Sequence, residues 1–121
     1  MKYWGITDPG CVRTQNQDAY YMEKLNKNTL LCVVCDGMGG AKSGNVASTL
    51  ALDVFTQEVK RSWRSDMQLE EVDQVLSSAV KLANFTVFEQ AQQFDEFSGM
   101  GTTLVAVIMT SKQATIVNVG D

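Results

Sequence analysis

The stretch "LLCVVCDGMGG", Leu30 to Gly40, decides the reading of this chain. Six apolar residues in a row, rich in valine and leucine, predict a strand buried on both faces and therefore central to a sheet. The run stops at a carboxylate, Asp36, and the chain turns glycine-rich at Gly37, Gly39 and Gly40. Upstream, "AYYMEKL" (Ala19 to Leu25) is a second strand-like run. The intervening "NKNT" has the composition of a hairpin loop. If the hairpin folds back near Lys27, Asp18 falls opposite Asp36. Directly opposed residues hold their Cβ atoms roughly 5 Å apart, a distance at which two carboxylates repel unless one is protonated or a cation lies between them.

Working outward, "YWGIT" predicts a first strand ahead of the Pro9-Gly10 turn signal. From Ser43 the apolar period changes to that of a helix. Val46, Leu50 and Val54, and Ala47, Ala51, Phe55 and Val59, mark one face running to about Trp63, with Ser43 or Asn45 as candidate caps. Leu69, Val72, Leu76, Ala79, Val80, Ala83 and Val87 mark a second helix reaching about Ala91. "TTLVAVIM" and "ATIVNV" are two further strands joined by "TSKQ". Strands joined by short loops pair antiparallel, and strands followed by helices predict an α+β fold in which helices cover a sheet.

Composition narrows the chemistry. The 121 residues suit one domain or part of one, 45% hydrophobic and 20% charged, as in ordinary soluble proteins. A net charge of −4 argues against a nucleic-acid module. No apolar run approaches the roughly 20 residues that span a bilayer, and the N-terminus lacks a signal-peptide core, so no membrane association and a cytoplasmic location are the expectation. The chain has no histidine, which removes Ser-His and Cys-His nucleophiles and His-ligated zinc. It has three cysteines. Cys32 and Cys35 have the spacing of a metal or redox pair, but on a strand they face opposite ways.

What remains is oxygen chemistry. Asp18 and Asp36 suit a hard divalent cation, Mg²⁺ or Mn²⁺, and glycine lets the backbone approach a ligand closely. Arg13, on the loop entering the hairpin, could clamp a phosphate or form a surface ion pair. "DGMGGAKSG" lacks the Gly-Lys-Ser/Thr of a P-loop and the spacing of a dinucleotide fingerprint. A plain turn and an anion-binding loop remain open beside a metal site.

Taken together, "GCVRTQNQDAY", "VVCDGMGG", "GNVAS", "GMGTTLVAVI" and "ATIVNVGD" resemble successive motifs of the metal-dependent Ser/Thr protein phosphatases of type 2C, in their bacterial form. The resemblance covers about Trp4 to Asp121 and implies an antiparallel β-sandwich flanked by helices in α-β-β-α layers. Residues 1–121 would form the N-terminal part of the catalytic domain. It implies hydrolysis of phosphoserine and phosphothreonine in proteins by a metal-activated water, with two Mn²⁺ or Mg²⁺ ions and a third, weaker site.

By this resemblance Asp36 bridges the two metals, and the Gly37 carbonyl and Asp18 hold the second. Arg13 binds the substrate phosphate, and Asp121 contributes to the third metal. Thr102 and Thr103 match a Gly-Thr-Thr strand start of structural character. Gln17, Ala41 and Asn45 depart from residues common in the family, without removing a ligand. Two further metal aspartates of the family lie beyond Asp121, so the chain alone is expected to bind metal weakly, to have little activity and to self-associate. Implied partners are phosphoproteins made by a bacterial Ser/Thr kinase. The alternative reading is a non-catalytic phosphatase-like binding or regulatory module.

Overall fold

The computed structural model describes residues 10–12, 18–39 and 41–119. In chain order these form β1 (Gly10–Val12), β2 (Asp18–Asn26), β3 (Thr29–Met38), α1 (Ala41–Ser62), α2 (Leu69–Gln93), a 3₁₀ turn (Asp95–Phe97), β4 (Gly101–Thr102), β5 (Leu104–Met109) and β6 (Ala114–Val119). The expected strand "YWGIT" lies outside the described residues. The sheet runs β1-β2-β3-β5-β6, antiparallel throughout, and β4 pairs with the far end of β3. The apolar run thus lies on a central strand, and the architecture is α+β with two helices on an antiparallel sheet.

The β2–β3 register is the expected one. Asp18 opposes Asp36, Ala19 opposes Cys35, and the pairing holds to Lys24 opposite Leu30. The strands extend further than "NKNT" suggests, because Asn26 pairs with Thr29 and leaves only Lys27 and Asn28 at the turn. The Asn26 side chain accepts a bond from the Asn28 N–H at 2.8 Å, which stabilises this tight turn.

Alternation along the strands sorts residues between two faces. Ala19, Leu31, Val33, Cys35, Leu104, Ala106 and Ile108 are buried against the helices. α1 lies across β2 and β3, and inserts Ala47, Ala51, Leu52, Phe55 and Val59. These include the residues whose four-residue recurrence predicts the helix face. α2 packs on α1 through Val72, Val75, Leu76, Ala79, Ala83 and Val87. Ser48 and Thr56, buried among them, satisfy their hydroxyls on the Asn45 and Asp53 carbonyls at 3.3 and 3.2 Å. Near the C-terminus of α1, Lys60 reaches β2. It lies 3.0 Å from Glu23 and donates to the Tyr21 hydroxyl at 3.4 Å.

Two expectations are corrected. First, β3 is not buried on both faces. Val34 is 52% exposed, and its neighbours on the same face, Val105 and Ile116, are 39% and 65% exposed. The helices cover one side of the sheet, and among the described residues nothing covers the other. An unbroken apolar run reports that both faces prefer cover, not that one chain segment supplies it. Second, neither Ser43 nor Asn45 caps α1, which begins earlier, at Ala41. The Ser43 hydroxyl instead donates to the Glu96 carbonyl at 3.0 Å and ties the helix to the 3₁₀ turn. The second helix does have an N-terminal lock: the Gln68 N–H donates to the Glu71 carboxylate at 2.9 Å.

The two faces should respond differently to truncation. Leu52→Ala is expected to cost about 2–5 kcal/mol, as for a fully buried leucine. Val34→Ala should cost no more than about 1 kcal/mol. Urea denaturation at low protein concentration measures both, and equal costs would contradict the one-sided core.

Candidate metal centre

The alternation that buries Ala19 and Cys35 against α1 sends Asp18 and Asp36 to the opposite face, which none of the described residues covers. They stand directly opposite one another at the end of the β2–β3 pair. A carboxylate on the helix side would lose its hydration, whereas here Asp36 is exposed and Asp18 half-buried. Their closeness shows in the protonation of Asp18. A hydrogen bond between the Asp18 and Asp36 side chains, with burial and repulsion from Asp36 adding to it, raises the Asp18 carboxyl above its usual range. The pair therefore favours either a shared proton or a cation.

The backbone beyond Asp36 is held from a distant part of the sequence. Thr103 N–H donates to the Asp36 carbonyl at 2.9 Å, and Asp36 N–H donates to the Thr103 hydroxyl at 3.3 Å. Gly37 is buried and pairs with Thr102, and Met38 pairs with Gly101. Gly39 adopts φ +110°, and a Cβ there would stand 2.8 Å from the Met100 Cα. Glycine at 39 is thus demanded twice, by dihedral angle and by the close passage of residues 99–100. Gly37 is not in a left-handed conformation, so its dihedral angles do not demand glycine.

Of the candidate residues, the structure brings together Asp18, Asp36 and Gly37. Arg13, Asp121 and Gly40 lie outside the described residues. Among the described residues no cluster of three or more His, Cys, Asp or Glu side chains could hold a metal. What is present is a pair of opposed carboxylates followed by a glycine carbonyl. This all-oxygen set fits a hard cation such as Mg²⁺ or Mn²⁺ better than a thiophilic one. Cys32 and Cys35 take no part as a pair, since their side chains leave opposite faces of β3. The Thr103 hydroxyl is not legible from sequence as a contact of Asp36, because the two residues are 67 apart in the chain and only the sheet joins them.

Because the folded chain holds the Asp18 proton more tightly than the unfolded chain, the protonated pair contributes stability that is fully present below the usual carboxylate range. That contribution is lost as pH rises through the range to the raised value. With a chelator present, Asp18→Asn is therefore expected to melt at a higher temperature than wild type near neutral pH, and the gap should close in acid. Thermal denaturation followed by circular dichroism across pH checks this. A gap of the opposite sign would refute the close carboxylate pair.

A model of the protein phosphatase 2C family matches residues 12–121. The chain is 35% identical over 118 residues to the serine/threonine phosphatase stp of Listeria monocytogenes, a match covering 95% of this chain and 45% of that protein. Among solved structures, it is similar to the serine/threonine phosphatase Stp1 from Staphylococcus aureus, with a TM-score of 0.72 and 36% identity over 96% of this chain and 45% of that one. It is also similar to the Mycobacterium tuberculosis serine/threonine phosphatase PstP/Ppp, with a TM-score of 0.64 and 28% identity over 94% of this chain and 44% of that one. The chain thus spans about half the length of these Listeria and Staphylococcus relatives. With the family model matching nearly all of it and the sheet, helices and carboxylate pair in place, this chain belongs to the protein phosphatase 2C family.

Proposed function

We propose that the chain carries one side of the catalytic centre of a metal-dependent Ser/Thr protein phosphatase, acting on phosphoserine and phosphothreonine in proteins. The observation that carries this reading is the opposition of Asp18 and Asp36 at the open end of β2 and β3. In this reading Asp36 would be the main holder of two Mn²⁺ or Mg²⁺ ions. Asp18 and the Gly37 carbonyl would help hold them, and Asp121 would serve a third, weaker site. Bound cations supply the positive charge that makes water acidic enough to act as a nucleophile near neutral pH. Arg13 supplies a guanidinium that can hold two phosphate oxygens at once and orient the phosphoryl group.

The substrate class is supported by relatives named serine/threonine phosphatases. Phosphoproteins generated by a bacterial Ser/Thr kinase in the cytoplasm are the proposed substrates. Because the described ligands are few, the 121-residue chain should bind metal weakly and turn over slowly.

Manganese should raise the melting temperature of the wild-type chain, since a ligand that binds only the folded state stabilises it by mass action. Asp36→Asn should lose that shift, together with any manganese-dependent hydrolysis of p-nitrophenyl phosphate. An equal shift in both proteins would sink the metal reading. A chain that shows no shift, yet captures a phosphopeptide through Arg13, would favour the non-catalytic module instead.

We also propose that the isolated chain self-associates through its bare sheet face. Val34, Val105 and Ile116 form an exposed apolar surface of the kind that soluble monomers rarely leave open. Sedimentation should show a dimer or larger species that Val105→Lys and Ile116→Lys together dissociate. A wild-type monomer at high concentration would refute it.

A further inference from the structure

The register that runs from Val34 opposite Val105 to Gly37 opposite Thr102 puts Asp36 opposite Thr103. In an antiparallel ladder, a hydrogen-bonded opposed pair exchanges two backbone bonds. Here one is present: Thr103 N–H donates to the Asp36 carbonyl at 2.9 Å. The other is replaced by side chains. Asp36 N–H donates at 3.3 Å to the Thr103 hydroxyl rather than to its carbonyl. The Thr103 carbonyl accepts the Thr102 hydroxyl at 2.8 Å. Two consecutive hydroxyls thus stand in for one rung of the sheet, at the point where β4 ends and β5 begins.

We propose that this pair of hydroxyls is a positioning device for Asp36, with Thr103 the residue that fixes it. The inference rests on the metal reading of Asp36 given above. A backbone break opposite Asp36 would leave its amide unpaired and its dihedral angles free, and the carboxylate would swing with them. The Thr103 hydroxyl closes that gap while the strand opposite departs from regular pairing. Held at both amide and carbonyl, Asp36 presents its carboxylate at one fixed place beside Asp18. On the far side, Gly37 is fixed by pairing with Thr102 and Gly39 by its contact with Met100, so the fixed segment extends through the glycine whose carbonyl is a candidate ligand. Replacing a group that orients a metal ligand typically costs about 10–100-fold in metal affinity.

The test uses the 121-residue chain with manganese ion as the probe. Amide exchange measured by NMR without metal reports the hydroxyl rung. Paramagnetic broadening of the Asp18, Asp36 and Gly37 signals during a manganese titration reports affinity. Thr103→Val keeps the shape and removes the acceptor. It is expected to speed exchange of the Asp36 amide at least about tenfold relative to that of Val33, and to weaken manganese about tenfold. Thr103→Ser should restore both.

Equal acceleration at Asp36 and Val33 would mean a merely structural threonine and would overturn the proposal. So would unchanged exchange at Asp36, or unchanged manganese affinity despite faster exchange. If the wild-type chain shows no broadening, the metal reading itself fails and takes the positioning role with it. If wild type and Thr103→Val broaden alike, only the positioning role fails.

Discussion

The antiparallel pairing of β2 with β3 is the constraint on which the rest of the molecule depends. Because side chains alternate, one choice of register settles three matters together. It puts Ala19, Leu31, Val33 and Cys35 under α1, it leaves Val34 and its neighbours on the open face, and it sets Asp18 against Asp36. A slip of one residue on either strand would turn carboxylates toward the helices and apolar side chains outward. The burial that stabilises the fold is thus also what excludes the alternative in which the acidic pair is lost. Electrostatics alone would not choose this arrangement, since opposed carboxylates repel. The core enforces it, and a cation can relieve it.

Much of this is legible in the sequence because it is local. The β2–β3 register follows from one short loop and one pattern of alternation, and those two features alone are enough to pair Asp18 with Asp36. The two helices are legible from their apolar faces, and α2 ends within two residues of its expected boundary at Ala91. The β-rich runs after the helices likewise declare themselves as strands. However, the break at Thr103, which separates β4 from β5, is hidden inside a continuous run of strand-favouring composition. Strand propensity reports a preference for extended backbone and carries no record of which hydrogen bond is missing.

The less legible features are those that depend on distant chain. The exposure of Val34 cannot be read from "LLCVVC", because an apolar residue facing open solvent has the same composition as one facing a second layer. The demand for glycine at 39 is set by Met100, across two intervening helices. Ser43 and Asn45 fit the composition of caps, but the start of α1 is set by where β3 releases the chain. Arg13 stands out by its place on the loop entering the hairpin, and Asp121 only through the family resemblance; both lie outside the described residues.

The contact between Thr103 and Asp36 also has a kinetic meaning. The β2–β3 hairpin closes through a turn of two residues, and such hairpins form in about 1–10 μs. The pairing of Asp18 with Asp36 is thus a local event. Thr103 joins Asp36 only across a separation of 67 residues, most of them in two helices. Non-local pairing of this kind is slow. The two carboxylates are therefore brought together by a short closure, and the contact that fixes Asp36 by a long one, so the loop-closure cost of the second is the larger.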